Sequence, residues 1–498
     1  MAAGTAPPGA ARSRRRGRGP DPGRGAGPGP ARCRGAPLSL SPSRRLLLAG
    51  GSWVALASAA VAWPALTLAS GAAALLLLAA VLVDGVALRR RPLPELAREL
   101  PERAFLGRPA RLHLVLRNRS EVPIRAELFE ELPADLGDPE PRFSVEVAPA
   151  RAQTVQVPLT PAVRGDRGLG VPVALEAGPL GLVRRRVLGP SGQTLRVYPD
   201  TRRFLSRDAL DPRRLVASLG IRPARRRGDG SEFDSLREYT PGDDPRRLDW
   251  AASARRGRPV VKQYRHERNH TVIIAVDASR LMASREQAST RLVGGHGQTR
   301  TKLDYAVDAA LALAHAAVAS GDRVGMTVFD RQVRGHLSPR RHRRDLGEFV
   351  ELLTDVHPRI VEGDFAALAR TLAVHQRARA LVVILTDFAE TENATFLGPL
   401  AVLGRRHRVL LVALRDRVFR HLEAGAPVAG PRQGSGPWTR GDGLEPYRNL
   451  VLEDLLAERE TALLGLRRRG LQTLDLPPAQ VTGAVLNRYL EMREAPGR

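Results

Sequence analysis

The sequence predicts a doubly wound α/β domain in the C-terminal part of the chain, preceded by a small β-sandwich and a transmembrane helical hairpin. Three observations predict it. From about residue 271, short apolar runs alternate with longer segments whose apolar residues recur three to four apart, the order of a mostly parallel sheet covered on both faces. Between about residues 95 and 200 the apolar period drops to two, as in half-buried strands. Ahead of both, Leu46 to Val83 is almost wholly apolar.

Residues 1–44 are rich in Arg, Gly, Pro and Ala and carry few large apolar side chains, so burial cannot offset chain entropy; this tail is predicted to be disordered. Trp63 and Pro64 divide the apolar segment that follows into runs of 17 and 19 residues. At a rise of about 1.5 Å per residue each run spans about 26 to 29 Å, one bilayer crossing apiece, which makes residues 45–90 a pair of transmembrane helices. Gly50, Gly51, Ser52, Gly71 and Ala72 are small enough to let the two helices approach closely. Arg44 and Arg45 before the first run and Arg89, Arg90 and Arg91 after the second place both ends in the cytoplasm by the positive-inside rule. A competing reading takes Ala57-Ser58-Ala59 as a signal-peptide cleavage site, and it leaves the second run as an anchor with the same orientation. The chain is thus expected in the cell membrane with two spans and its C-terminal domains cytoplasmic.

The formal charge of +26 admits either nucleic acid or an anionic membrane as partner. Because Arg flanks the apolar segment and no groove-reading motif or zinc-finger spacing occurs, the lipid bilayer is the expected partner and no specific nucleic acid is. Basic residues are nearly all Arg, which reads as compositional bias. The lone Cys33 excludes an internal disulfide framework.

In residues 95–200, Leu112, Leu114 and Leu116 share one strand face, and Val145, Val147, Val155 and Val157 repeat the pattern. Asn118-Arg119-Ser120 and Arg164-Gly165-Asp166 are turn signals between strands of a β-sandwich-like domain that serves as spacer or docking module. Residues 201–270 read as a linker. In 271–498, strands are predicted at 271–276, 323–329, 381–385, 409–414 and 471–474, and helices at 302–320, 344–354, 365–377, 449–468 and 479–493.

In a sheet of this kind ligands bind beyond the carboxyl ends of the strands. The first strand runs into Asp277-Ala278-Ser279-Arg280-Leu281, and the third into Thr386-Asp387. These residues resemble the metal-ion-dependent adhesion site of the von Willebrand factor A-like fold, which implies Asp277, Ser279 and Asp387 as hard oxygen ligands for Mg²⁺. Leu281 stands where that pattern has a second Ser, and Gly363-Asp364 where it has a loop Thr. The competing reading has Asp277 and Asp387 capping helices or pairing with a nearby Arg.

His266-Glu267-Arg268-Asn269-His270 matches the zinc-protease pattern, which needs a helix to bring both His side chains to one metal. The segment instead leads directly into a strand, where the two His would lie about 13 Å apart. No Walker A loop, dinucleotide loop or nucleophile elbow occurs, so no enzyme activity is expected.

The segment from Gly230 to Trp250 interleaves charge and aromatic residues around a Pro-Gly turn, with Phe233, Leu236, Arg237, Tyr239, Gly242, Asp243, Asp244, Arg246, Asp249 and Trp250 as its distinctive members. Together with Ser253-Ala254-Arg255 it closely resembles the signature of the domain of unknown function 58 family. That resemblance implies a membrane-bound partner of MoxR-type AAA+ ATPases that assists protein maturation or assembly. The signature is expected either to recognise a partner or to brace the sandwich against the A-like domain. A non-enzymatic adaptor is the leading expectation; a metal-dependent enzyme using Asp277 and Asp387, and a nucleic-acid binder using the Arg-rich tail, are the alternatives.

Overall fold

The computed structural model of the protein describes residues 40–200, 232–241, 243, 245, 248–265, 270–287, 299–387, 393–416 and 445–494. Residues 1–39 of the expected disordered tail, Cys33 and the segment His266 to Asn269 lie outside them; residues 40–44 of that tail are ordered instead, because Leu40, Ser41 and Pro42 pair with Arg185, Arg184 and Val183 and Ser43 caps the helix that follows.

A short strand β1 (Leu40–Pro42) leads into helix α1 (Arg44–Ala62), a 3-10 turn at Pro64–Leu66 and helix α2 (Thr67–Arg90). Both helices are long and apolar enough to cross a membrane, and most of their Leu and Val side chains are exposed, with Leu88 buried at the end of α2. Of the small residues expected at the contact, Gly50, Gly51 and Gly71 are not needed there: a Cβ on each would meet nothing within 4 Å. The helices meet instead through Trp53, whose indole N–H donates to the Ser70 carbonyl at 3.1 Å.

The β-rich domain comprises β2 (Glu95–Glu99), β3 (Ala104–Phe105), β4 (Ala110–Arg117), β5 (Ile124–Phe129), β6 (Arg142–Val147), β7 (Ala152–Leu159), β8 (Gly165–Gly168), β9 (Val173–Ala177), β10 (Val183–Leu188) and β11 (Thr194–Tyr198). They form sheets of order β1-β10-β9-β5-β6, β2-β4-β7 and β3-β11-β8. Period-two alternation turns Leu112, Leu114 and Leu116 inward, where they meet Ile124, Ala126, Leu128, Val157 and Val197 in one core. The Asn118 turn forms as its chemistry dictates, with the Asn118 side-chain Oδ1 accepting from the Ser120 N–H at 2.8 Å.

This domain is bolted to the end of α2. Asp84, wholly buried, accepts from the amides of Leu180, Leu182 and Val183 at 2.7, 2.8 and 2.8 Å. Gly178 makes the approach possible, because a Cβ there would overlap the Asp84 carboxylate. From the other side Arg185 donates to the carbonyls of Leu88 and Arg91 at 2.7 and 3.0 Å while paired with Glu176 at 2.5 Å.

Strand β12 (Glu232–Glu238), helix α3 (Trp250–Arg256) and strand β13 (Val260–Arg265) follow. The segment read as a linker therefore contains a folded unit, in which β12 and β13 pair antiparallel with a bulge between Phe233 and Ser235. The sequence hides it because the connection is long and polar rather than a two-residue turn.

The C-terminal domain comprises β14 (Thr271–Asp277), a β15 (Arg285–Gln287) and β16 (Thr299–Thr301) ribbon, α4 (Lys302–Ala319), β17 (Arg323–Phe329), β18 (Val333–Arg340), α5 (Leu346–Thr354), α6 (Phe365–His375), β19 (Leu381–Thr386), α7 (Asn393–Arg406), β20 (Arg408–Leu414), α8 (Glu445–Arg468), β21 (Gln472–Leu476) and α9 (Pro478–Glu494). The main sheet has the order β18-β17-β14-β19-β20-β21. All its neighbours pair parallel except β18 with β17. Alternate residues of the central strands face opposite layers: Val272, Ile274 and Val276 pack under α4, α5 and α9, and Ile273 and Ala275 under α6, α7 and α8.

Four elements of this domain escaped the pattern: the two strands of the β15–β16 ribbon, β18 and α7. Strand β18 carries Gly335 and Pro339 and is tolerated as a strand because it lies at the sheet edge. Helix α7 has Pro399 in its interior, a residue that reads as a helix breaker.

Candidate functional site

The order of the parallel strands reverses between β14 and β19, and this switch point opens a crevice at their carboxyl ends. Asp277 closes β14 and Asp387 follows β19, so the fold brings together two of the three expected ligand residues, with Ser279 beside them.

Asp277 is buried and both its oxygens accept hydrogen bonds, from the Ser279 N–H at 2.8 Å and from the Thr386 hydroxyl at 2.6 Å. Burial pushes its carboxyl up to about 6, with Thr386 and Ser279 opposing. The Thr386 hydroxyl has a second acceptor in the Asp387 backbone carbonyl, at 3.1 Å.

The loop after α5 folds over this corner. The Arg359 N–H donates to the Ala278 carbonyl and the Arg280 N–H to the Val361 carbonyl, each at 2.9 Å. Gly363 abuts the Asp277 carboxylate, where a Cβ would sit 3.4 Å from each oxygen. Asp364, at the place of the expected loop Thr, caps α6 by accepting from Ala366 and Ala367 at 2.8 and 2.9 Å. Between the two anchoring bonds Ile360 is 91% exposed.

Two cations that the sequence reading did not select complete the site. Lys302 Nζ lies 2.6 Å from one Asp387 oxygen and 3.1 Å from Asp416. Arg459 donates to the other Asp387 oxygen at 2.7 Å and forks onto Asp475 at 2.9 and 3.2 Å. Burial opposes the charge of Arg459, yet Asp387 and Asp475 hold its guanidinium above its ordinary value. Ser284 donates to Asp416 at 3.0 Å. The crevice floor is a lattice of paired charges, and among the described residues no three His, Cys, Asp or Glu are placed to hold a metal ion.

Both cations left a trace in the sequence. Arg459 falls on the same helical stripe as Ala462, Leu463 and Leu466, where a charge needs a buried partner. Lys302 and Lys262 are the chain's only lysines among 78 basic residues.

The signature unit is braced within itself. Arg237 donates to both Asp243 oxygens, one at 2.7 Å, and to Thr240 Oγ1 at 2.8 Å. Arg237, and after it the Thr240 N–H, hold the Asp243 carboxyl down at about 2. Asp249 caps α3 through the Ala252 N–H at 3.0 Å, and Ser253 Oγ accepts from the Val260 N–H at 2.9 Å. Trp250, first residue of α3, is 74% exposed. Leu236 and Tyr239 are half-buried, and Phe233 pairs across the ribbon with Tyr264. Gly242, Asp244 and Arg246 lie outside the described residues.

Residues 235–435 match the family model described as "Protein of unknown function DUF58". The uncharacterized proteins Rv1480 of Mycobacterium tuberculosis and Mb1516 of Mycobacterium bovis are each 30% identical over 200 residues, 40% of this chain. The match spans 58% of the length of those relatives. Among solved structures, the conserved hypothetical protein BatB from Bacteroides thetaiotaomicron aligns over 45% of this chain and 98% of its own, with a TM-score of 0.29 and 13% identity.

Proposed function

We propose that the protein is a membrane-anchored, non-enzymatic docking protein whose C-terminal domain is von Willebrand factor A-like and whose partner is a MoxR-type AAA+ ATPase or its client. The observation that carries this reading is Trp250, an aromatic ring left 74% exposed on a unit in which Arg237 pairs with Asp243, and Asp249 and Ser253 accept from backbone amides. Exposed Trp on a pre-organised support is the side chain that most often anchors a protein interface. The A-like assignment rests on the strand order, the antiparallel edge strand β18 and the placement of Asp277, Ser279 and Asp387 at the carboxyl ends. The adaptor role and the ATPase follow from the likeness of the Arg237 to Trp250 segment to the family signature. Arg44, Arg45 and Arg89 to Arg91 support a cytoplasmic orientation of the domains that follow the hairpin, the side on which such an ATPase would meet them.

Affinity purification of the full chain co-expressed with a MoxR-type ATPase tests the reading. The wild type is expected to retain the ATPase. Trp250→Ala is expected to lose it at an unchanged melting temperature, because the ring is on the surface, and Asp243→Ala to lose it by releasing Arg237 and the turn. Wild-type retention by Trp250→Ala would overturn the proposal.

A further inference from the structure

We infer that the ammonium of Lys302 takes the place of the divalent cation at the carboxyl ends of the sheet, so that this face of the domain is held in shape without a metal. The inference rests on the A-like reading, since it concerns the position where such a domain would carry its ion.

The carboxylates there are already committed. Mg²⁺ demands a near-octahedral shell of oxygens at about 2.0 to 2.1 Å. Each Asp387 oxygen instead faces a cationic donor, Lys302 at 2.6 Å and Arg459 at 2.7 Å. Both Asp277 oxygens accept from Ser279 and Thr386, and Leu281 supplies no oxygen where the adhesion pattern has a Ser. A dication entering this shell would have to displace a buried ammonium of the same sign.

The residue type points the same way. Of 78 basic residues, Lys262 and Lys302 alone are Lys, so the chain's strong preference for Arg is broken at this position. Arg is a flat fork, whereas Lys presents a compact point charge with three donors, the closest a side chain comes to a small cation. Helix propensity does not explain the placement either. Lys302 is the first residue of α4, the end of a helix where the dipole disfavours positive charge. The gain must come from Asp387 and Asp416, which meet the ammonium at 2.6 and 3.1 Å. Of these, Asp387 is held from the far side by Arg459, so the ammonium links the start of α4 to the ends of β19 and β20.

The test uses the full chain in detergent, stripped with a chelator and then titrated with Mg²⁺ and Mn²⁺. The wild type is expected to show no saturable binding heat and no change in melting temperature at millimolar metal. Lys302→Met is expected to melt about 5–15 °C lower, because two buried carboxylates lose a cation. In Lys302→Ser, which opens the position and adds an oxygen, Mn²⁺ is expected to bind, seen by electron paramagnetic resonance, and to raise the melting temperature. Stoichiometric Mg²⁺ binding by the wild type that disappears in Asp387→Asn would overturn the inference, and needs no Lys302 variant to fold. An unchanged melting temperature in Lys302→Met would overturn it as well. Neither outcome touches the docking reading, which is read separately from ATPase retention through Trp250.

Discussion

Arg164, in the β-rich domain, donates from Nε to Asp304 in the first turn of α4 at 2.7 Å, across 140 residues of sequence. The same guanidinium reaches the carbonyls of Leu353 at 2.7 Å and Val356 at 3.3 Å, so it closes the end of α5 as well. Burial would raise the Asp304 carboxyl, yet Arg164, Arg300 and Thr301 together hold it below its ordinary value. Gly165, at φ +91°, seats this turn against His357, and a Cβ there would lie 2.9 Å from the imidazole Nε2. Arg196 adds a second tie, to Glu351 at 2.7 Å and Asp355 at 3.0 Å. Among the described residues the brace between the two domains thus runs through Arg164 and Arg196. It enters α4 two residues from Lys302.

Arg164→Ala is expected to destabilise the protein by about 3 kcal/mol, the lower end of the range for removing one partner of a buried pair, because Arg300 still faces Asp304. Arg164→Lys keeps the charge but not the fork and should recover less than half of that loss. Denaturant unfolding of the full chain in detergent measures both. An Arg164→Ala variant as stable as the wild type would show that the domain contact is incidental.

Asp84→Ala is expected to loosen the β-rich domain from the hairpin, leaving Arg185 as a remaining tie. It strips the acceptor from three amides at once, those of Leu180, Leu182 and Val183. Hydrogen bonds to a charged group contribute about 1.5–3 kcal/mol each, and part of the loss is recovered by water, so about 3–5 kcal/mol of local stability is at stake. Trypsin digestion of protein in native membranes reads the effect: cleavage after Arg89 and Arg90 should quicken at least tenfold relative to the wild type. Equal cleavage rates would mean that the buried carboxylate does not hold the joint.

The strands of the main sheet were legible because their signal is local. Val272 to Val276 and Val382 to Leu385 are buried on both faces and read as continuous apolar runs. The same locality explains the misses. Lys302 and Asp387 are 85 residues apart, and Arg459 and Asp387 are 72 apart, so no pattern within one element announces that their charges cancel. Asp277, Ser279 and Asp387 lie near one another because strand ends in this topology converge whatever side chains they carry. Arg164 read as a turn residue because its partners, Asp304, Leu353 and Val356, belong to the other domain.

Asp277 makes the stability of the C-terminal domain depend on pH with a definite sign. Its carboxyl is pushed by burial from the ordinary 3.8 up to about 6, so between those values the folded chain holds a proton that the unfolded chain has released. Stability therefore falls as pH rises through that window and the penalty is constant above it. A displacement of about 2 pH units amounts to about 3 kcal/mol. Asp277→Asn mimics the protonated form: its carbonyl can accept from the Ser279 N–H, and its amide can donate to Thr386, whose hydroxyl then turns to the Asp387 carbonyl 3.1 Å away. The variant is expected to match the wild type near pH 4, to gain on it between about pH 4 and 6, and to keep an advantage of up to about 3 kcal/mol at pH 7. Denaturant unfolding of both proteins across that range gives the difference curve. A flat curve, or one that falls with pH, would place the ionised form of Asp277 in the folded protein throughout and remove the penalty.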